Sequence, residues 1–304
     1  MVIAIDHGNS QIKTPNCVFP SAVRVSKTQL PMATDTVKFA ESYFTLTNQR
    51  IRYRRDKTTD DVFFALTLFA VAKELEITGE YIPGMEITLS VGLPPEHYAR
   101  QEKRFAEYFV SHGREIRFVY NGKRYNIQIV DVQVYPQAYA AICSTPSIIK
   151  TFSRAYIVDI GGYTVDVLLM QEGYPDLSIC RSLDMGIITM VNKAISSVNT
   201  NFELPIQEEH VLEVLTKKKT VLSSKVRDEI EKVAQEHADE IISQLRELGV
   251  DLRVDAAVMV GGGAQLLKFY IDQSKNTSHV EYIPDIKANA RGYQILAGLA
   301  MAKK

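Results

Sequence analysis

Asp6 and Asp159 each close an apolar run and stand just ahead of glycine and a hydroxyl side chain. The first run is Val2-Ile3-Ala4-Ile5-Asp6-His7-Gly8-Asn9-Ser10, and the second is Ala155-Tyr156-Ile157-Val158-Asp159-Ile160-Gly161-Gly162-Tyr163-Thr164. A third, Ala256-Ala257-Val258-Met259-Val260, ends in Gly261-Gly262-Gly263. Glycine lets a backbone approach a ligand closely and aim its N–H groups inward, which is how proteins hold phosphate. A carboxylate would repel phosphate, so Asp6 and Asp159 suit the waters around a divalent cation, Mg²⁺, instead. The pattern implies a phosphate-bearing ligand, a nucleotide, clamped between two related halves.

In the first loop the amides of Gly8, Asn9 and Ser10 would face phosphate oxygens, with Lys13 supplying a point charge. Asp, Gly, Asn and Ser are also ordinary turn residues, so this loop alone carries either reading. The second is more specific. Alternation after the Gly161-Gly162-Tyr163 turn puts Thr164 and Asp166 on one face. Asp159 could then hold metal-bound water while Asp166 polarises an attacking water. A strand-to-helix turn needs one glycine, so the three at 261–263 point to adenine or ribose lying against the backbone.

The elements that must position these residues alternate between strands and helices. Strands are expected over Cys17–Val25 and Val37–Tyr53, the latter turning at Thr47-Asn48-Gln49. Asp60 and Asp61 would cap a buried helix that Gly79 ends. The strand Ile87–Val91, a helix from Glu96 to about His112 and a hairpin at Asn121-Gly122 follow, then a strand from Ile127 to Val134. Pro136–Ser144, rich in alanine, reads as helical. The second half opens at Tyr156 with strands to about Ile179 and a helix near Ile187–Ser197. Ile230, Val233, His237, Ile241, Leu245 and Leu248 make the apolar stripe of a long helix closed by Gly249, with His237 a core residue. A last helix runs from about Asn289 to Lys303. The sequence thus implies α/β architecture and duplication of one unit.

Composition limits the function classes. A hydrophobic fraction of 46% with 23% charged residues is that of a globular protein, and a net charge of −1 argues against direct nucleic-acid binding. The cysteines, Cys17, Cys143 and Cys180, form no CxxC pair and read as reduced, as in the cytoplasm. Met1 leads straight into a strand, so no signal peptide is expected, and the longest apolar stretch, Val62–Ala72, is too short for a membrane span. Arg50, Arg52, Arg54, Arg55 and Lys57 read as a charged, solvated edge, and Lys217-Lys218-Lys219 as a solvated helix end.

The three loops together resemble the actin-like ATPase superfamily, which includes actin, heat-shock chaperone ATPases, sugar kinases and bacterial actins. Asp6–Lys13 resemble its first phosphate motif, Asp159–Asp166 its second and Ala256–Ala264 its adenosine motif. Val134-Tyr135-Pro136-Gln137-Ala138 and Ala290-Arg291-Gly292-Tyr293 resemble its two connecting helices. Ser90-Val91-Gly92-Leu93-Pro94 and the Tyr-Pro-Gln-Ala segment look most like plasmid-segregation actins of the ParM/StbA group.

The resemblance implies an α/β, actin-like (ribonuclease H-like) pair of duplicated domains with a nucleotide cleft between them. The first would comprise residues 1–146 and 287–304, with a small subdomain at about 15–60; the second would comprise 147–286. It implies Mg²⁺ and ATP, with GTP as the alternative base. Gln137 would orient the hydrolytic water where ParM-type proteins commonly carry Glu. Ala138, Ala140, Ala141, Ala290, Gly292, Ala297 and Gly298 would let the connecting helices cross closely. The function implied is a filament-forming ATPase that separates plasmid copies with a ParR-like DNA-binding adaptor. A small-molecule kinase and a non-hydrolysing scaffold for division or pilus assembly are the alternatives.

Overall fold

The computed structural model describes residues 1–31, 34–49, 56–149 and 152–302. It divides into two units, Met1–Thr145 with Lys287–Lys304, and Pro146–Ile286. Among the described residues no helix is long and apolar enough to cross a membrane.

Unit 1 contains strands β1 (Val2–His7), β2 (Gln11–Lys13), β3 (Val18–Pro20), β4 (Val23–Ser26), β5 (Thr36–Phe39), β6 (Ser42–Leu46), β7 (Met85–Leu93), β8 (Glu115–Tyr120) and β9 (Lys123–Pro136). Its helices are α1 (Val62–Thr78), α2 (Pro95–Val110), α3 (Tyr139–Ser144) and the C-terminal helix Ala288–Ala302. The sheet order is β3-β2-β1-β7-β9-β8-β5-β6-β4. Unit 2 contains α4 (Pro146–Ile149), β10 (Arg154–Ile160), β11 (Val165–Gln171), β12 (Tyr174–Leu183), α5 (Ile187–Phe202), α6 (Glu208–Leu215), α7 (Ser224–Glu247), β13 (Ala257–Val260), α8 (Gly261–Gln273) and β14 (Val280–Tyr282). Its sheet runs β12-β11-β10-β13-β14.

The duplication is visible in strand direction. In unit 1, β3, β2 and β1 pair antiparallel and β1, β7 and β9 pair parallel. In unit 2, β12, β11 and β10 pair antiparallel and β10, β13 and β14 pair parallel. Each unit therefore repeats one five-stranded plan, and unit 1 adds β8, β5, β6 and β4 at one edge. The parallel strands need covered faces, and the helices supply the cover. Helix α1 is buried on every side from Phe63 to Ala72, as a run whose one polar residue, Thr67, is hydrogen-bonded internally requires. Asp60 Oδ1 accepts the Val62 amide at 3.0 Å, so Asp60 satisfies the helix start, and Gly79 at φ 70° ends it. In α7 the stripe from Ile230 through His237 to Leu245 is buried, whereas Leu248 is 37% exposed at the cap.

Some elements differ from their sequence reading. The run Cys17–Val25 breaks into β3 and β4, and the turn after β5 falls at Ala40, which takes φ 48°. Pro136 ends a strand rather than starting a helix, because Val91 to Leu93 pair with Val134 to Pro136 and carry β9 that far. Arg50, Arg52, Arg54 and Arg55 lie outside the described residues. Lys57 is not solvated: it is buried, donates to the His7 carbonyl oxygen and lies 5.5 Å from the Phe63 ring centroid.

His7 is fully buried among the rings of Phe63, Phe105 and Phe109. Thr67 donates its hydroxyl to the Phe63 carbonyl at 2.8 Å, so His7 Nε2–H donates to Thr67 Oγ1, also 2.8 Å away. Burial, then the charge of Lys57, lowers the imidazole pKa to about 3. The folded protein thus keeps His7 neutral while the unfolded chain takes up a proton below about 6.5. Stability falls as pH drops from there toward 3, by up to about 1.4 kcal/mol per pH unit from this group. His237, whose pKa burial also lowers, adds to the same acid limb. Urea unfolding at pH 6.5, 5.5 and 4.5 is expected to show a shallower loss in His7→Gln than in the parent; parallel curves would remove His7 as a cause.

Candidate phosphate-binding site

In unit 1, Asp6 sits at the end of β1 opposite Lys13 on β2 and is 3% exposed. Its two oxygens have different neighbours. Oδ1 accepts from Gln137 Nε2 at 3.0 Å, and Oδ2 faces Lys13 Nζ at 3.4 Å. Lys13 and Gln137 therefore neutralise and orient the carboxylate here, whereas the sequence suggested phosphate and water as their partners. The Gly8 turn is tight: a Cβ there would come within 2.5 Å of the Gln11 carbonyl oxygen. The Ser21 hydroxyl, which the sequence did not single out, donates to the Gly8 carbonyl and fixes the loop that also carries Asn9 and Ser10.

Gln137 is set by its backbone. Its amide donates to the Leu93 carbonyl at 2.8 Å, and Ala138 then takes φ 62°, ψ −55°, an uncommon region for a residue with a Cβ. Such strain costs about 1–3 kcal/mol and persists only where surroundings enforce it. Here Asn289 enforces it, its Oδ1 accepting the Ala138 amide at 3.0 Å. The C-terminal helix that carries Asn289 packs closely on α3. A Cβ on Gly292 would lie 1.8 Å from the Ala140 carbonyl oxygen, while one on Gly298 would meet nothing within 4 Å. Only the first of these two glycines is required by the crossing.

In unit 2, Asp159 and Asp166 are directly opposite across the β10–β11 ladder, so their side chains share a face. They are 8% and 4% exposed. Asp166 accepts from Thr164 Oγ1 at 3.0 Å and from the Ser182 hydroxyl. The Gly161 amide donates to the Thr164 carbonyl at 2.8 Å, which closes the tip but takes that amide away from any ligand.

The rest of the tip is fixed from α5. The amides of Gly186, Ile187 and Ile188 donate to the carbonyls of Tyr163, Gly161 and Gly162 at 2.9, 3.1 and 2.9 Å. In a trans peptide the N–H points opposite to the C=O. With three successive carbonyls turned toward α5, the amides of Gly162, Tyr163 and Thr164 turn away from it, as an anion nest requires. Gly186 is the residue the sequence analysis missed: a Cβ there would lie 2.4 Å from Gly162 and Tyr163 backbone atoms. A lone glycine before a helix gives no signal of that contact.

The triple glycine forms the first turn of α8 rather than a loop before it. Gly261 takes φ 92°, and a Cβ there would approach Asp159 Oδ1 to 2.4 Å; one on Gly263 would strike Ile160 and Ile187. Gly262 alone of the three has no atom within 4 Å of such a Cβ. Two of the glycines thus let α8 approach β10, and the third is open to a ligand. The start of α8 also places the positive end of a helix dipole beside Asp159.

Two hairpins of one plan, each ending its first strand in a buried aspartate beside a glycine turn, define a duplicated α/β protein. The sequence family described as actin-like proteins, N-terminal domain, matches residues 4–139, and that of the archaeal actin homologue MreB-like, C-terminal, matches 157–273. The chain belongs to the actin-like superfamily. Solved structures agree on the fold. Ta0583, an archaeal actin homolog, is 18% identical over 99% of both chains with a TM-score of 0.77. A 15-stranded ParM filament from Clostridium botulinum is 18% identical, over 98% of this chain and 99% of that one, with a TM-score of 0.76. Ta0583 in complex with ADP is 17% identical, over 98% of this chain and 99% of that one, at 0.73. No curated protein matches the sequence.

The division among the glycines is testable by thermal denaturation. Gly261→Ala, at positive φ and against Asp159, is expected to lose about 1–3 kcal/mol. Gly262→Ala is expected to stay within about 0.5 kcal/mol of the parent. Equal losses would mean that Gly262 is also packed.

Proposed function

We propose that the protein is a filament-forming actin-like ATPase that drives plasmid DNA segregation by nucleotide-dependent assembly. The observation that carries this reading is the Gly162–Thr164 tip, its amides turned away from α5 above the paired Asp159 and Asp166. The ParM filament and the ADP complex among the similar structures support it. In this reading the Asp6 tip and the Asp159 tip are each phosphate-type loops, and the nucleotide is ATP or GTP.

Mg²⁺, when bound, would neutralise charge on the transferring phosphoryl group. Asp6 and Asp159 are hard oxygen donors, and no cluster of three His, Cys, Asp or Glu exists among the described residues. Single carboxylates fit a cation that keeps several waters, rather than a cage built from protein alone. The amides of Gly162, Tyr163 and Thr164 would hold phosphate oxygens, with Lys13 as a mobile point charge. Gly262 would leave room for adenosine at the start of α8.

Asp166, fixed by Thr164 and Ser182, would accept a hydrogen bond from the attacking water and polarise it. Gln137, in the role the resemblance gives it, would orient a hydrolytic water, since an amide can align a nucleophile but is a poor base. Loss of the terminal phosphate would remove the contacts that favour the assembled state, leaving the polymer weaker. A ParR-like adaptor would link the filament to DNA, consistent with a chain whose net charge is −1.

Sedimentation and light scattering after addition of Mg·ATP, with phosphate release followed in parallel, test the reading. Assembly with turnover is expected. Asp159→Ala and Asp166→Ala should each slow phosphate release by about 10²–10⁴-fold while the circular dichroism spectrum is retained. Undiminished turnover in both variants would refute the assigned site.

A further inference from the structure

Unit 1 departs from the five-stranded plan at β8, β5, β6 and β4, and beside that addition it carries a cavity of about 540 Å³. This volume is in the range of pockets that take a specific ligand group. Tyr81, Phe118 and Tyr125 form its aromatic floor, with Phe118 stacked on Tyr125 at 5.1 Å and Tyr81 at 4.7 Å from Tyr125. Lys38, Arg117 and Arg124 supply its charge, and no acidic side chain lines it. Arg117 already pairs with Glu115 at 2.8 Å. Among the described residues, no carboxylate is within ion-pair distance of Lys38 or Arg124. The cavity is thus shaped for an aromatic group that arrives with negative charge.

Unit 2 presents such a group. The turn between β11 and β12 is Glu172-Gly173, at φ 49° and 81°, the positive pair that makes a tight and rigid hairpin tip. Tyr174 follows it and is 77% exposed. Glu172 is exposed on one side of Tyr174, and Asp176 lies on the other. The Ser178 hydroxyl and amide donate to Asp176 at 2.6 and 3.0 Å and hold its carboxyl below the usual range, so it carries charge near neutrality. An exposed tyrosine between two carboxylates on a rigid turn has the make-up of an interface anchor, since aromatic residues seated in pockets carry most of the energy of association.

We propose that the β11–β12 tip of one copy seats Tyr174 in the unit 1 cavity of a second copy, with Glu172 and Asp176 against Lys38 and Arg124. The proposal rests on the self-assembly reading given above and names one of its contacts. Charge complementarity selects a second copy as the occupant: the acidic aromatic tip and the basic aromatic cavity belong to the same chain. The two patches differ, so the contact is heterologous. A contact of that kind leaves one unused patch at each end and propagates into an open polymer unless the rotation closes a ring. The paired charges would steer encounter and make assembly weaken with salt.

The chain contains no tryptophan, so full-length Tyr174→Trp carries a single reporter at the tip. Its emission is followed against protein concentration, with and without Mg·ATP, alongside sedimentation of the unsubstituted protein. A blue shift that tracks concentration is expected. Lys38→Glu with Arg124→Glu should abolish the shift and raise the concentration needed for assembly about tenfold or more. Adding Glu172→Lys to that pair should recover part of the loss. Emission that stays that of a water-exposed indole, even in pelleted protein, would overturn the contact, as would assembly unaffected by the two reversals. If the parent sediments while the indole stays exposed, the filament reading stands and this contact falls. A shift without sedimentation would keep the contact and count against filaments.

Discussion

Three hydrogen bonds from the first turn of α5 into the Gly161–Tyr163 tip are the constraint on which the unit 2 site depends. Each contributes about 0.5–1.5 kcal/mol net, but their larger effect is directional. By engaging the carbonyls they decide which way the amides face, and a helix start that would otherwise attract an anion is used to orient a loop. The arrangement needs Gly186, because any side chain there would occupy the backbone of Gly162 and Tyr163. It also explains why Thr164 and Ser182 can fix Asp166: with the tip held, the start of β11 cannot shift relative to β12.

Unit 1 meets the same requirement with different parts. Among the described residues no helix start donates to its tip carbonyls; Ser21 and Lys57 take the carbonyls of Gly8 and His7 instead. A buried lysine in that role is costly unless its ammonium is bonded, and the His7 carbonyl and Phe63 face supply part of the compensation. The repeat therefore conserves strand direction and the position of the aspartate, while the way each turn is held has diverged. Asp6 faces a lysine and an amide, whereas Asp159 faces a helix start and Asp166, so the two carboxylates are not interchangeable.

The α/β architecture and its duplication were legible in the sequence because they rest on local signals: apolar runs, the residues that end them, and stripes such as Ile230–Leu245; the actin-like fold was what the resemblance of the three loops implied. What was not legible depends on contacts between distant segments. Alanine at Ala40 gives no warning of positive φ, which is why the break between β5 and β6 inside the expected Val37–Tyr53 run was not foreseen. The alanine-rich stretch after Pro136 has helical propensity from the start, yet pairing with β7 keeps it extended to Pro136. The triple glycine was read as a ligand loop because sequence cannot distinguish a residue that admits a ligand from one that admits Asp159 or Ile160. Lys57 looked like part of a solvated cluster, and only the fold carries its ammonium to the His7 carbonyl.

The strained step at Ala138 joins two of these features within unit 1. Asp6 holds the Gln137 side chain, the Gln137 amide is tied to Leu93, and the next amide is tied to Asn289 on the C-terminal helix. That helix is in turn held to β7 where Ser90 donates to the Tyr293 carbonyl at 2.9 Å, and Gly92 leaves room for the Tyr293 ring. Every link is buried, so none can be exchanged for water at low cost. A ligand that drew the Gln137 amide away from Asp6 would remove one anchor from a backbone already strained by about 1–3 kcal/mol. Asp6 and the C-terminal helix are thus joined by hydrogen bonds on either side of one strained residue, Ala138.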